Sequence, residues 1–137
     1  MREIIFRGKR LSDGKWVEGN LFRPDLETSE TQICVGTPVV RICYAVNPET
    51  IGQFTGLTTA DGTRIFEGDI IGRKRFDGSE CIEGVIEYGT FNCSCCDGVY
   101  GWYVSNSGDI RELGEPCSPR LRVAGNIHDN PELLERR

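Results

Sequence analysis

Four Asp-Gly dipeptides divide this chain of 137 residues into short strand-like runs. The dipeptides begin at Asp13, Asp61, Asp77 and Asp97, and each lies between strand-like runs. A two-residue type I′ turn needs a positive φ at both central positions, which Asp and Gly tolerate better than most residues. The sequence therefore predicts a chain that folds back on itself repeatedly in antiparallel hairpins.

Between the turns, apolar and polar side chains alternate with a period of two, as strands with one buried face require. The clearest runs are 40–46, 82–88 and 121–127. One helix is expected near the C-terminus, where Asn130 can cap free N–H groups and Pro131 suits the first helical turn. The fold class that we predict is mainly β (α+β) with a short C-terminal helix.

The spacing of the turns predicts two lobes that can share one compact unit. Residues 1–60 form an N-terminal β-rich lobe, and residues 61–137 form an SH3-like small barrel that ends in the short helix. The strands of this barrel are expected near 69–75, 81–88, 100–105, 109–113 and 120–126. Five short, bent antiparallel strands favour a closed barrel because closure removes exposed strand edges.

Composition and charge exclude several classes of protein. No segment approaches the roughly 18 consecutive apolar residues of a membrane span. The apolar piece at the N-terminus is too short for a signal peptide, so we expect a cytoplasmic protein without membrane contact. The formal net charge of −5 opposes binding of a polyanion unless basic residues are segregated on one surface.

The cysteines are the strongest chemical lead in the sequence. The seven are Cys34, Cys43, Cys81, Cys93, Cys95, Cys96 and Cys117. The C-x-x-C at Cys93–Cys96 could give two thiolates to zinc, with Cys81, Cys117 or His128 completing the site. A second C-x-x-C pair is missing, and a redox C-x-x-C would open a helix, which this segment does not predict. We therefore favour reduced, free thiols and leave the zinc and thiol-enzyme alternatives open.

Other candidate catalytic or metal-binding residues have structural interpretations. His128 is the one histidine, and its place before a capped segment favours a packing or surface role. Glu67 and Asp69 flank Gly68 and could mimic a metal-binding pair, but turn hydrogen bonding explains Asp69 equally well. Gly68 itself is expected to have a positive φ. We predict no catalytic, cofactor-binding or metal-binding residues, and no cofactor.

One basic and aromatic run, Arg73-Lys74-Arg75-Phe76, could contact nucleic acid, joined by Arg120 and Arg122 from another strand. Because the chain is acidic, we favour the simpler interpretation of an edge strand protected by charge, and we do not expect nucleic acid as a partner. The large aromatic residues are expected in the core or in subunit contacts. They are Trp16, Phe22, Tyr100, Trp102 and Tyr103.

Three parts of the sequence resemble the YopX family, whose members occur in phages and prophages. They are REIIFRG at 2–8, VNPETIGQFTGL at 46–57 continuing to DG at 61–62 and IFEGDII at 65–71, and VAGNIHDNPELL at 123–134. The resemblance implies a mostly β protein with an SH3-like C-terminal part, self-association, and no established activity. It supplies no functional residues, and the Cys93–Cys96 cluster lies outside its pattern.

The function that we predict from the sequence is that of a non-enzymatic interaction module acting as a homo-oligomer. Its further partner would be an unidentified phage or host protein. Two alternatives remain at this stage. One is a nucleic-acid-binding module that uses the basic run of the barrel, and the other is a zinc-binding or thiol enzyme that uses Cys93–Cys96.

Overall fold

In a computed structural model, the chain is described over residues 4–22, 31–37, 39–91, 98–106, 109–112 and 120–134. These residues form β-strands and two short 3₁₀ turns. The strands are β1 (Phe6–Lys9), β2 (Trp16–Phe22), β3 (Gln32–Gly36), β4 (Arg41–Ala45), β5 (Gly52–Thr58), β6 (Arg64–Phe66), β7 (Asp69–Lys74), β8 (Glu80–Phe91), β9 (Val99–Asn106), β10 (Asp109–Glu112) and β11 (Leu121–Asn126). The 3₁₀ turns span Pro48–Thr50 and Pro131–Leu134. The mainly β prediction is confirmed.

The chain divides into two compact units, Met1–Phe54 and Thr55–Arg137. In the first unit the strands lie in the order β4-β3-β2-β1 and continue into the start of β5, with every pairing antiparallel. Ile33 and Val46 are buried in this unit, and both contact Gly8, where even a Cβ would approach them at 3.2 Å. Close approach of β1, β3 and the residue that follows β4 therefore builds the first core.

The same pairing brings two cysteines together in the first unit. Cys34 of β3 and Cys43 of β4 are direct partners in the ladder, with Cα atoms 4.0 Å apart, and they form a disulfide. We expected free thiols from composition, and for these two residues that expectation was wrong. The register of a hairpin, which cysteine counting does not reveal, places the two side chains on one face.

The second unit contains a five-stranded antiparallel sheet in the order β10-β9-β8-β7-β11. Its core is an aliphatic cluster of Ile65, Ile71, Ile86 and Val104, against which Trp102 packs. The five predicted strand positions of this unit agree with the observed strands to within a few residues. Alternation of side chains located β7, β8, β9 and β11 correctly because each contributes residues to this core.

The Asp-Gly dipeptides at Asp13, Asp61 and Asp77 lie in turns between consecutive strands, as predicted, and their glycines have positive φ. In each of these turns the aspartate also accepts a hydrogen bond from the backbone N–H two residues later. The acceptor–donor distances are 3.0 Å for Asp13–Lys15, 3.3 Å for Asp61–Thr63 and 2.9 Å for Asp77–Ser79. Each carboxylate thus fixes the turn that its glycine permits. Asp97 lies outside the described residues.

These bonds predict an acid-dependent loss of stability. Hydrogen bonds from the Arg10 side chain and the Lys15 N–H lower the pKa of Asp13 from 3.8 to about 2. A carboxyl whose pKa is lowered by folding stabilises the protein above its unfolded pKa, and this contribution disappears as the pH falls through the folded value.

We therefore expect Asp13→Asn to melt below wild type at neutral pH. The difference should hold down to about pH 4 and should close by about pH 2. Thermal melts at a series of pH values would measure it. A difference that is equally large at neutral pH and near pH 2 would contradict the assignment.

The predicted C-terminal helix is absent from the described residues, which contain only the 3₁₀ turn Pro131–Leu134 there. The Asn130 side chain accepts a hydrogen bond at 3.3 Å from the N–H of Asn126, at the end of β11. The expected cap residue therefore closes the preceding turn, and four residues do not offset the cost of starting an α-helix. No described helix is long and apolar enough to cross a membrane.

Candidate functional site: a basic and aromatic edge

Antiparallel pairing of β7 with β11 gathers the basic residues that the sequence singled out. Leu121 pairs with Arg73, and the N–H of Lys74 donates to the carbonyl of Arg120 at 3.0 Å. Arg120 therefore lies beside the basic run, as the sequence suggested. We call Arg73, Lys74, Arg75, Phe76 and Arg120 the basic edge.

Phe76 is the most unusual residue of this edge because this large apolar residue is 93% exposed. The Arg120 guanidinium carbon lies over the ring, 3.6 Å from its centroid, and Arg120 Nη1 donates to the carbonyl of Lys74 at 3.1 Å. These two contacts hold a cation over one face of an exposed aromatic ring. A groove of about 440 Å³ is lined by Arg73, Lys74, Arg75, Phe76, Asp77 and Arg120.

The charges of the edge are only partly compensated within the unit. Arg73 forms an ion pair with Glu83 at 2.5 Å, while Lys74 and Arg75 have exposed side chains. Asp77 lies beside Arg75, and its carboxylate also accepts from the N–H and hydroxyl of Ser79. The edge therefore keeps a local excess of positive charge on an acidic chain.

A second, larger groove of about 750 Å³ adjoins the basic edge. The residues lining it are Arg75, Glu80, Cys81, Ile82, Asn106, Arg122, Val123, Ala124 and Leu133. Arg75 lines both grooves. Arg122, which the sequence grouped with Arg120, therefore belongs to the second groove and shares Arg75 with the first.

The structure gives the Glu67–Asp69 pair a structural role. Asp69 is 1% exposed, and its carboxylate accepts from the N–H of Phe66 at 2.7 Å. Between the two acidic residues, Gly68 has φ +89°, as predicted, and its backbone bonds to Ile86 and Ile127. This turn joins β6 to β7, and its hydrogen bonds account for the buried acid.

His128 lies in the turn that follows β11, where its N–H donates to Asn126 Oδ1 at 3.0 Å. The side chain of Asn126 also accepts from the N–H of Asp129, which makes this turn a local hydrogen-bond network. Within the described part of the chain, no three His, Cys, Asp or Glu residues form a group that could hold a metal ion.

The zinc and thiol alternatives depend on residues that the structure does not describe. Cys93, Cys95, Cys96 and Cys117 all lie outside the described ranges. Cys81, the described cysteine among the candidates, is half-buried, and its thiol lies 3.7 Å from the carbonyl oxygen of Arg73.

The aromatic residues divide between core and surface. Trp102 packs on the core cluster and contacts Tyr88, with ring centroids 4.7 Å apart, as a core aromatic should. Burial raises the pKa of Tyr103, which is only partly accessible. Tyr100 is exposed and meets Tyr88 edge-on. In the first unit, Arg7 and Lys9 lie over the ring of Trp16, and Arg41 lies over Phe22.

An apolar surface that the sequence did not single out lies on the first unit. Leu21 pairs with Ile33, and Val35 pairs with Ile42, so alternation places these side chains on one face. Exposed apolar residues at its outer end are Leu21, Val35, Val39, Val40 and Ile42. We call them the apolar hairpin. The alternation of β4 is visible in the sequence, but its exposure is not.

Two antiparallel sheets built from short strands and tight turns define a mainly β protein. The family model described as "YopX protein" matches residues 5–135, and the chain belongs to the YopX family.

The crystal structure of protein EF1440 from Enterococcus faecalis is similar to this chain. The match has a TM-score of 0.53 and 23% sequence identity, and it covers 98% of this chain and 99% of that one. At this identity, the likeness shows the fold alone. A search of the curated proteins found no match.

Proposed function

We propose that the chain is a non-enzymatic, phage- or prophage-encoded interaction module that acts as a homo-oligomer in the cytoplasm. Its second unit would be an SH3-like barrel, and its further partner an unidentified phage or host protein. The observation that carries self-association is the apolar hairpin at the end of the first sheet.

The side chains of this hairpin are unusually exposed for their type. Val40 is 75% exposed and Ile42 61% exposed. Single exposed apolar residues are common on proteins, but five on the β3–β4 hairpin and the strand beside it support an interaction site. Covering Val40 and Ile42 would remove apolar surface from water, which is the main driving force of association.

The backbone groups of β4 that face away from β3 also support self-association at this surface. Among the described strands, β4 is the last of its sheet and pairs only with β3. The carbonyl of Ala45 accepts from Leu11 on the side away from β3. N–H and C=O directions repeat every second residue, so those of Cys43 and Arg41 also point to this side.

A second copy of the chain can satisfy these groups by antiparallel pairing. With a two-fold axis at Ile42, Arg41 of one copy would face Cys43 of the other, and the two Ile42 side chains would meet. Such a contact is self-complementary and closed, which is the geometry of most homodimers. It would also cover a sheet edge that otherwise invites uncontrolled pairing.

Ile42→Lys tests this proposal. Wild type should sediment as a dimer in analytical ultracentrifugation, and the variant should shift to monomer because a charge would be buried at the two-fold axis. Ile4→Lys is the matched control, since Ile4 is also exposed and precedes β1, which β2 and β3 separate from β4 in the sheet. It should remain dimeric. A monomeric wild type, or a folded Ile42→Lys variant that stays dimeric, would overturn the proposal.

A further inference from the structure

Although the acidic composition argued against nucleic acid as a partner, we propose from the assembled surface that the basic edge binds single-stranded nucleic acid, with phosphates held by its cations and a base stacked on Phe76. This site is independent of self-association through the apolar hairpin. It assigns a ligand to the groove of about 440 Å³ that these residues line.

The exposed ring of Phe76 offers a surface on which a nucleobase can stack. A phenylalanine that is 93% exposed contributes almost nothing to the core of the unit. Arg120 lies over one face of its ring, and the exposed fraction leaves the other face accessible to solvent. Stacking of a nucleobase on an aromatic ring is the main sequence-tolerant contact in proteins that bind single strands.

The positive charges around the ring support binding of phosphate groups. Five cations lie along the two grooves, Arg73, Lys74, Arg75, Arg120 and Arg122. Among the described residues, the carboxylates that line these grooves or pair with these cations include Asp77, Glu80 and Glu83. Positive charge is thus segregated on a chain whose net charge is −5. This is the condition under which an acidic protein can attract a polyanion locally.

The two grooves share a cation, which connects the site around Phe76 to a second basic residue. Arg75 lines both of them, so cations continue from the Phe76 ring to Arg122. A path of cations beside one exposed ring fits a single nucleic-acid strand, because its phosphates repeat along the chain and its bases can turn outward. A duplex keeps its bases stacked and offers no face to Phe76, so the geometry favours a single strand.

A fluorescently labelled single-stranded DNA of about 12 nucleotides, titrated at low salt, tests the proposal. Binding should weaken as salt rises, with a slope that falls by about 0.7 for each phosphate contact removed. Arg75→Gln should therefore reduce the slope. Phe76→Ala should weaken binding about 5- to 100-fold at an unchanged slope, since it removes stacking and no charge.

Three comparisons sharpen the result. Phe76→Leu keeps an apolar side chain and should lose as much affinity as Phe76→Ala, because only the π face matters. Arg64→Glu, outside the basic edge, should bind nearly as well as wild type, whereas Arg75→Glu should lose about tenfold or more. All these changes lie at exposed residues, so melting curves should match wild type.

Several outcomes would overturn the proposal. One is the absence of salt-dependent binding to the oligonucleotide. Another is equal affinity for a poly-glutamate peptide or for the corresponding duplex, which would show a general polyanion surface. A third is wild-type affinity in Phe76→Ala, which would remove the stacking contact.

Discussion

Gly84→Ala should strongly destabilise the second unit. Gly84 has φ +147°, a conformation that L-residues rarely adopt. A Cβ there would overlap the backbone carbonyl of Ser105, with the carbonyl carbon at 2.7 Å and Val104 Cγ1 at 3.0 Å. Because backbone of a central strand cannot move aside, strain and overpacking together should cost about 3–5 kcal/mol.

The position of Gly84 in the sheet explains why it is needed. Ile71 pairs with Gly84 while Gly72 pairs with Ile82, so Glu83 is an extra residue in β8. Such a bulge bends the strand and increases its twist. At Gly84 the backbone of β8 also lies close to Ser105 of β9. Glycine is the residue that permits both the bend and the approach.

Chemical denaturation followed by circular dichroism measures this effect. Gly101→Ala, in the adjacent strand β9, is the matched control because its Cβ would meet nothing within 4 Å. We expect its free energy of unfolding to stay within about 0.5 kcal/mol of wild type. Equal denaturation curves for the two variants would show that the close approach at Gly84 does not exist.

Asp69→Ala should destabilise the second unit by about 2–3 kcal/mol. Its carboxylate is buried and accepts the N–H of Phe66, which is itself buried. Removing the acceptor leaves a buried donor without this partner and opens a small cavity, and both effects destabilise the folded state. Asp69→Asn keeps the shape and one acceptor oxygen, so it should lose less.

Thermal melts of Asp69→Ala, Asp69→Asn and Glu67→Gln separate structure from function. Glu67 is exposed, and its variant should melt like wild type. If Asp69→Ala also melted like wild type, the buried acid would be dispensable for folding. A functional role for the Glu67–Asp69 pair would then become the better explanation.

The sequence by itself determined the hairpins and most of the strands. Asp-Gly turns and two-residue alternation are local properties, since a turn is set by its own φ values and by the carboxylate beside it. For this reason β7, β8, β9 and β11 were located closely, and Gly68 was correctly expected to have a positive φ. The segments that resemble the YopX family were also readable without a structure.

Only the tertiary structure decided which residues meet across the strands. Register placed Cys34 opposite Cys43, brought Arg120 over Phe76, and introduced the bulge that requires Gly84. It also turned the side chain of Asn130 back to β11, where the sequence had indicated a helix cap.

Burial was decided in the same way. The sequence indicated that Asp69 is a turn residue, yet its side chain is buried. The sequence placed Ile42 in a half-buried strand, yet Ile42 is largely exposed. The alternating pattern states that one face of a strand is apolar, but the other elements of the fold determine whether anything covers that face. Exposure at the apolar hairpin and at Phe76 therefore became visible only once the strands were assembled.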